Sequence, residues 1–209
     1  MDRTRVLTVL PIAYGGDIGY WARLLGGPCT IDVHENWVKQ SMRNRQSIIS
    51  ASGVTTLSVN VCGRGARMLT RDVRIDYSKR WQHQHWISLV SAYRNSPYFD
   101  FYEEFFEPFY SRRFDFLLDF DLQYMQTILK ILGRDFSPVL SESYIPASED
   151  IADFRGKRAA TLPDTAFEPY TQVFSDRMPF APNLSILDLI FSEGPDAAAY
   201  IERLGDYLL

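Results

Sequence analysis

Three histidines, two cysteines and a cluster of arginines are the chain's main candidates for chemistry. His34 opens the run His34-Glu35-Asn36-Trp37-Val38-Lys39-Gln40-Ser41-Met42-Arg43-Asn44-Arg45, in which Lys39, Gln40, Arg43 and Arg45 supply donors for a phosphate or a carboxylate. An imidazole titrates near neutral pH, so His34 is the general-base candidate, with Asn44 placed to orient an acceptor. If the run is helical after Asn36, Lys39 and Arg43 share a face, and a ligand-free surface helix is the competing reading. His85 stands four residues after Trp81 and four before Leu89, on an apolar stripe. It is either a buried neutral imidazole held by a hydrogen bond or an acid/base group at the mouth of the core. His83 and His85 are two apart, about 200° round a helix, so they cannot share a metal as an i, i+4 pair would. Cys29 and Cys62 are too few for a cysteine zinc site, and no metal is expected. Asp76 and Tyr77 end an alternating segment, where they could handle protons or contact substrate; Asp76 could equally pair with Arg74 or cap the following helix.

Charge separates the two halves of the 209 residues. Residues 1–100 hold 13 Lys+Arg against 7 Asp+Glu, net +6, and residues 101–209 hold 9 against 19, net −10. All but Lys39 and Lys79 of the cations in the basic half are arginine, whose planar fork suits phosphate and carboxylate. An anionic small-molecule ligand on the N-terminal half is the reading this favours over nucleic acid, because the whole chain is acidic and lacks a recognised nucleic-acid motif. No stretch reaches the 18 or so apolar residues of a membrane span, and the first residues read as a strand rather than a signal peptide. A cytoplasmic address follows as the expectation. Phosphate-binding Gly-x-x-x-x-Gly-Lys, dinucleotide-binding Gly-x-Gly-x-x-Gly and hydrolase Gly-x-Ser-x-Gly motifs are all absent. So is the His-x-Gly-His of nucleotidyltransferases.

The elements that must position these groups begin with a strand over Arg5–Leu10, a glycine bend at Tyr14-Gly15-Gly16-Asp17 and a short helix ended by Gly26-Gly27. A second strand spans Thr30–Val33. Strand, turn, helix, strand is a βαβ opening, and open parallel sheets bind ligands beyond the carboxyl ends of their strands. Further strands are expected at Ser47–Ile49 and Val54–Val61, around a turn at Ser52-Gly53, and at Val73–Tyr77. Between them Cys62–Arg67 reads as a cationic loop. From Ser78 the period becomes helical, giving helices from Ser78 to Asn95, from Tyr98 to about Pro108 and from about Ser111 to Leu132, the last stopped by Gly133. Residues 133–168 read as mostly connecting loops, Tyr170–Phe174 as a strand. Ser185 and Asp188 have capping-box spacing before a helix that Gly194 stops, and Pro195 starts a final one. The expectation is one α/β domain over residues 1–209, with a mainly parallel sheet and C-terminal covering helices.

Several blocks in fixed order, His34-Glu35-Asn36 with Lys39-Gln40 and Arg43-Asn44-Arg45, Arg74-Ile75-Asp76-Tyr77-Ser78, His85-Trp86, Pro169-Tyr170 with Gln172, and Pro182-Asn183-Leu184-Ser185 through Pro195, resemble the WbqC-like family over roughly residues 6–204. Trp37 stands where tyrosine is usual in that family, and Met178-Pro179 where His-Gly is common. The resemblance implies a place in bacterial surface-polysaccharide or O-antigen synthesis. It suggests amide-forming acyl or aminoacyl transfer to a nucleotide-linked amino sugar, with an acyl-CoA or carrier-protein donor. On that basis His34, Asn44, His85 and Asp76 form the catalytic set, and Lys39, Gln40, Arg43, Arg45, Tyr77 and Asn183 the substrate-binding set. A homo-oligomer is compatible with it. The rival is a non-enzymatic module that binds polysaccharide precursors or an assembly partner through aromatic-rich helices.

Overall fold

Apolar, largely β-branched residues after Arg5 give strand β1 (Leu7–Leu10), and Pro11, which has no N–H for a ladder, follows its last residue. The structure, a computed structural model, describes residues 7–63, 68–156 and 162–205. The glycine bend leads to α1 (Ile18–Leu25), whose N-terminus is capped by the Asp17 side chain accepting from Tyr20 N at 2.7 Å, and which Gly26 ends. Strand β2 (Cys29–Ile31) returns parallel to β1, with Thr8 opposite Cys29.

An antiparallel hairpin follows as a separate sheet, β3 (Arg45–Ser50) and β4 (Gly53–Ser58), turning where Gly53 takes a φ of +107°. Helices α2 (Trp81–Tyr93), α3 (Phe99–Ser111) and α4 (Leu117–Ile131) come next, then β5 (Val139–Leu140) and β6 (Ile151–Asp153), and finally α5 (Ile186–Glu193) and α6 (Ala197–Gly205). The main sheet has the order β5-β2-β1-β6, and all three pairs are parallel. α1 packs on α5 and α6; α2 packs on α3 and β3, and α3 on α4. Trp81, Phe106, Phe109, Phe114, Phe120 and Tyr124 meet in the helical core, several edge-to-face at 4.9–5.8 Å, so this packing adds directional ring contacts to plain area burial. No described helix is long and apolar enough to cross a membrane.

Several expectations are corrected. Residues 133–168 are mostly loop where described, but they also contribute β5 and β6 to the parallel sheet, which went unforeseen because strands of two and three residues carry too little side-chain pattern to be seen. The run after Asn36 is not helical: it is a series of turns in which Gln40 takes a φ of +56°, and Trp37 N and Glu35 O bond across to Met68 and Thr70. Val73–Tyr77 forms isolated bridges, Val61 to Ile75 and Arg74 to Phe116, rather than a strand. Tyr170–Phe174 is irregular. Pro108 lies inside the last turn of α3 rather than ending it, and α4 starts at Leu117 because residues up to Phe116 are extended to bridge Arg74. Ser185 does cap α5, accepting from Leu187 N, but Asp188 does not close a capping box. Its carboxylate accepts instead from Tyr93 and Tyr170 hydroxyls and from Gln172 Nε2. Of the expected cationic loop, residues 64–67 lie outside the described residues.

Candidate functional site

Strand β1 is flanked by β2 on one side and β6 on the other, so the chain leaves β1 in one direction and comes back on the opposite side. That is a topological switch point, where the carboxyl ends of neighbouring strands splay and leave a crevice. A cavity of about 470 Å³ lies there. Its wall comes from Pro11 after β1, Gly16 and Asp17 of the glycine bend, Gln40–Arg43 of the turn segment, Arg45–Ser47 and Thr56 of the hairpin, Arg155 and Gly156 after β6, and Asn183 and Ser185 before α5. Backbone bonds bind these segments together: Tyr14 N donates to Met42 O at 2.9 Å, Ser185 N to Ser47 O at 2.8 Å and Ile186 N to Gly16 O at 3.0 Å. The glycine bend and the arginine-bearing segment therefore share one cavity, as their order in the sequence suggests.

Gly15 has a physical reason to be glycine. Its φ is +71°, and a β-carbon there would lie 2.6 Å from Gln46 Oε1. The bend delivers Asp17, whose carboxyl is pushed from 3.8 up to about 6, chiefly by burial, with the Tyr20 amide, Arg23 and Asn183 acting the other way. Asn183 sits at a φ of +53° and accepts from Gly19 N at 2.8 Å while its side chain also bonds Asp17. A non-glycine residue in the left-handed region beside a carboxyl of shifted pKa is strain placed at a site rather than at random.

The arginines divide by partner. Arg43 is 1% exposed and its fork grips Glu35 at 2.7 and 2.5 Å, with Ser41 Oγ and the Arg155 carbonyl completing its bonds. Arg155 is held by Asp32 and by both oxygens of Asp153. Both guanidinium groups touch the cavity but are matched by carboxylates, so they build the wall. Half-buried Arg45 forms no ion pair among the described residues, its Nε has no hydrogen-bond partner, and it lines the cavity. It is the cation placed to meet an anion.

The other sequence-derived candidates fall in different places. Gln40 and Asn183 line the cavity; Lys39 is exposed and does not. Half-buried His34 lies three residues past β2 and outside the cavity lining. Its Nδ1 meets Ser141 Oγ at 3.2 Å, Ser141 donates to Asp32 at 2.9 Å, and its Nε2 meets Arg71 Nη1 at 2.6 Å. Asn44 is buried, donating to Val59 O at 2.9 Å. Asp76 accepts from Ser78 N at 2.8 Å, which with its side-chain bond holds its carboxyl below the usual range. Tyr77 both donates to Phe114 O and accepts from Phe114 N, tying the α2 entry to the residues before α4. His83 is exposed and His85 buried, as their spacing implies. His85 meets the Tyr14 hydroxyl at 3.1 Å, and burial lowers its pKa to about 4. Asp17, Arg155 and Ser185 are cavity residues that sequence reasoning took for a turn, a loop and a helix cap, and Gln46, also in the lining, went unassigned just before an expected strand. Among the described residues no group of three His, Cys, Asp or Glu could hold a metal ion.

An open parallel sheet with a polar cavity at its switch point defines an α/β domain with a candidate binding site. The WbqC-like protein family matches residues 30–162, more than half of the chain, and the chain belongs to that family. Neither the curated proteins nor the solved structures contain a match.

Proposed function

We propose that the chain is a cytoplasmic transferase of surface-polysaccharide synthesis that forms an amide between an acyl or aminoacyl donor and the amine of a nucleotide-linked amino sugar. The observation that supports this best is Asp17, a carboxyl with a pKa near 6 inside a polar cavity that also holds Arg45, which forms no ion pair among the described residues. At neutral pH such a carboxyl is mostly ionised yet basic enough to take a proton from an attacking amine. Arg45 receives a phosphate or carboxylate of the substrate, and Gln40 and Asn183 border the same space. With a thioester donor, the amine nitrogen attacks the carbonyl, the C–N bond forms and the C–S bond breaks. Asp17 takes the proton from nitrogen and returns it to the departing thiolate. His34 is positioned by Ser141 and Asp32, which also holds Arg155 of the cavity wall, so its part is indirect.

The test is turnover with an acyl-CoA and an amino-sugar nucleotide, followed by release of free thiol and by mass spectrometry of the amide. Asp17→Asn is expected to keep binding of the donor and of the substrate's anionic group and to lose turnover by about 10²-fold or more. Asp17→Asn with turnover within a few-fold of the parent would refute the assignment. Ligand binding without turnover in the parent protein across thioester donors would favour the binding-module alternative.

A further inference from the structure

The polarity of Ser185 at the cavity can be worked out atom by atom. Ser185 Oγ meets Gln46 Oε1 at 2.8 Å, and an amide oxygen only accepts, so Ser185 donates its proton to Gln46. The same Oγ accepts from Leu187 N at the start of α5. Ser185 therefore presents a lone pair, and no proton, to the cavity it lines. The neighbouring polar group on the same segment pair is the carboxylate of Asp17; the cationic Arg23 near it is turned to the Gly19 carbonyl at 3.0 Å.

Resting on the cavity being the substrate site, we propose that its Asp17–Ser185 end is an acceptor-only subsite for a free primary amine, and that Arg45 takes an anionic group of the same molecule. The ligand class is an unacylated amine carrying a phosphate or carboxylate. A hydroxyl can donate to this end but brings no positive charge to the carboxylate, and an N-acyl group adds bulk and a carbonyl acceptor where only acceptors wait.

The experiment is calorimetric titration at neutral pH with glucosamine 1-phosphate, glucose 1-phosphate and N-acetylglucosamine 1-phosphate, with inorganic pyrophosphate as the charge-only probe. The amine is expected to bind about 10- to 100-fold more tightly than the other two sugars, the range for a charge-assisted hydrogen bond. Asp17→Asn should bring the three sugars together and leave pyrophosphate affinity unchanged. Equal binding of the three sugars by the parent protein overturns the subsite and leaves the cavity's anion role standing. No binding of any probe, pyrophosphate included, up to about 10 mM would overturn the reading of the cavity as well.

Discussion

Asp17→Asn should make the protein more stable at neutral pH. Folding raises the Asp17 pKa from 3.8 to about 6, so the folded state holds its proton more tightly than the unfolded chain does. The stabilisation that goes with that proton is fully present below 3.8 and is lost as pH rises through about 6. A shift of about two units corresponds to about 3 kcal/mol at about 1.4 kcal/mol per unit, and partial exposure at the cavity lowers the expectation to ~1–2 kcal/mol. Asparagine carries no charge and still offers an oxygen to Tyr20 N at the start of α1. Urea unfolding of both proteins between pH 4 and pH 8 measures the difference directly. The variant should be more stable above pH 6, with the gap closing towards pH 4. His85 titrates in both proteins, so it cancels. A variant that is less stable at pH 7, or a gap that does not change with pH, would refute the placing of Asp17. Gain of stability with loss of turnover is the pattern of a carboxyl kept for function.

Asp121 is buried in α4 with no partner on either carboxyl oxygen among the described residues, and burial holds its pKa well above the ordinary value. Asp121→Leu should therefore be neutral or stabilising by ~1–3 kcal/mol at pH 7, read by urea unfolding; a loss of that size would contradict the account. Arg43→Met leaves Glu35 buried and unpaired and should cost about 3–5 kcal/mol, whereas Arg43→Met with Glu35→Leu should recover most of it. Burial lowers the His85 pKa to about 4, so its contribution to stability is present above its unfolded value and lost as pH falls through about 4. His85→Phe should flatten that acid limb in the same unfolding series. Phe120→Ala, at the meeting of Trp81, Phe109, Phe114 and Tyr124, should cost about 3–5 kcal/mol by the same method.

Much of the frame was readable because local chemistry and tertiary packing agree. The strand β1, the glycine bend, α1 with its Gly26 stop, the β3–β4 hairpin and the opposed faces of His83 and His85 follow from period and turn residues alone. What escaped depends on distant partners. β5 and β6 exist because β2 and β1 offer backbone edges, not because of their own side-chain pattern. Pro108 stands inside α3, where it gives up one helical N–H bond, and the helix runs on only to Ser111. Arg43 looked like a phosphate ligand until Glu35, eight residues earlier, was seen to fill its fork. Asp17 and Ser185 have the spacing of helix caps and do cap α1 and α5. That they also face one cavity depends on contacts spanning more than 160 residues, such as Gly19 to Asn183. His34 has the right chemistry at the right end of the sheet, but its ring is turned to Ser141 and Arg71.

Chemical-shift mapping of the ¹⁵N-labelled protein during titration with glucosamine 1-phosphate tests the central claim most directly, through the Arg45 Nε–H, the Gly16 and Asp17 amides and the Asn183 side-chain amide. The account predicts that the largest saturable shifts fall on these cavity groups. Shifts that gather instead around His34, Arg71 and Ser141, with the cavity signals unmoved, would contradict it.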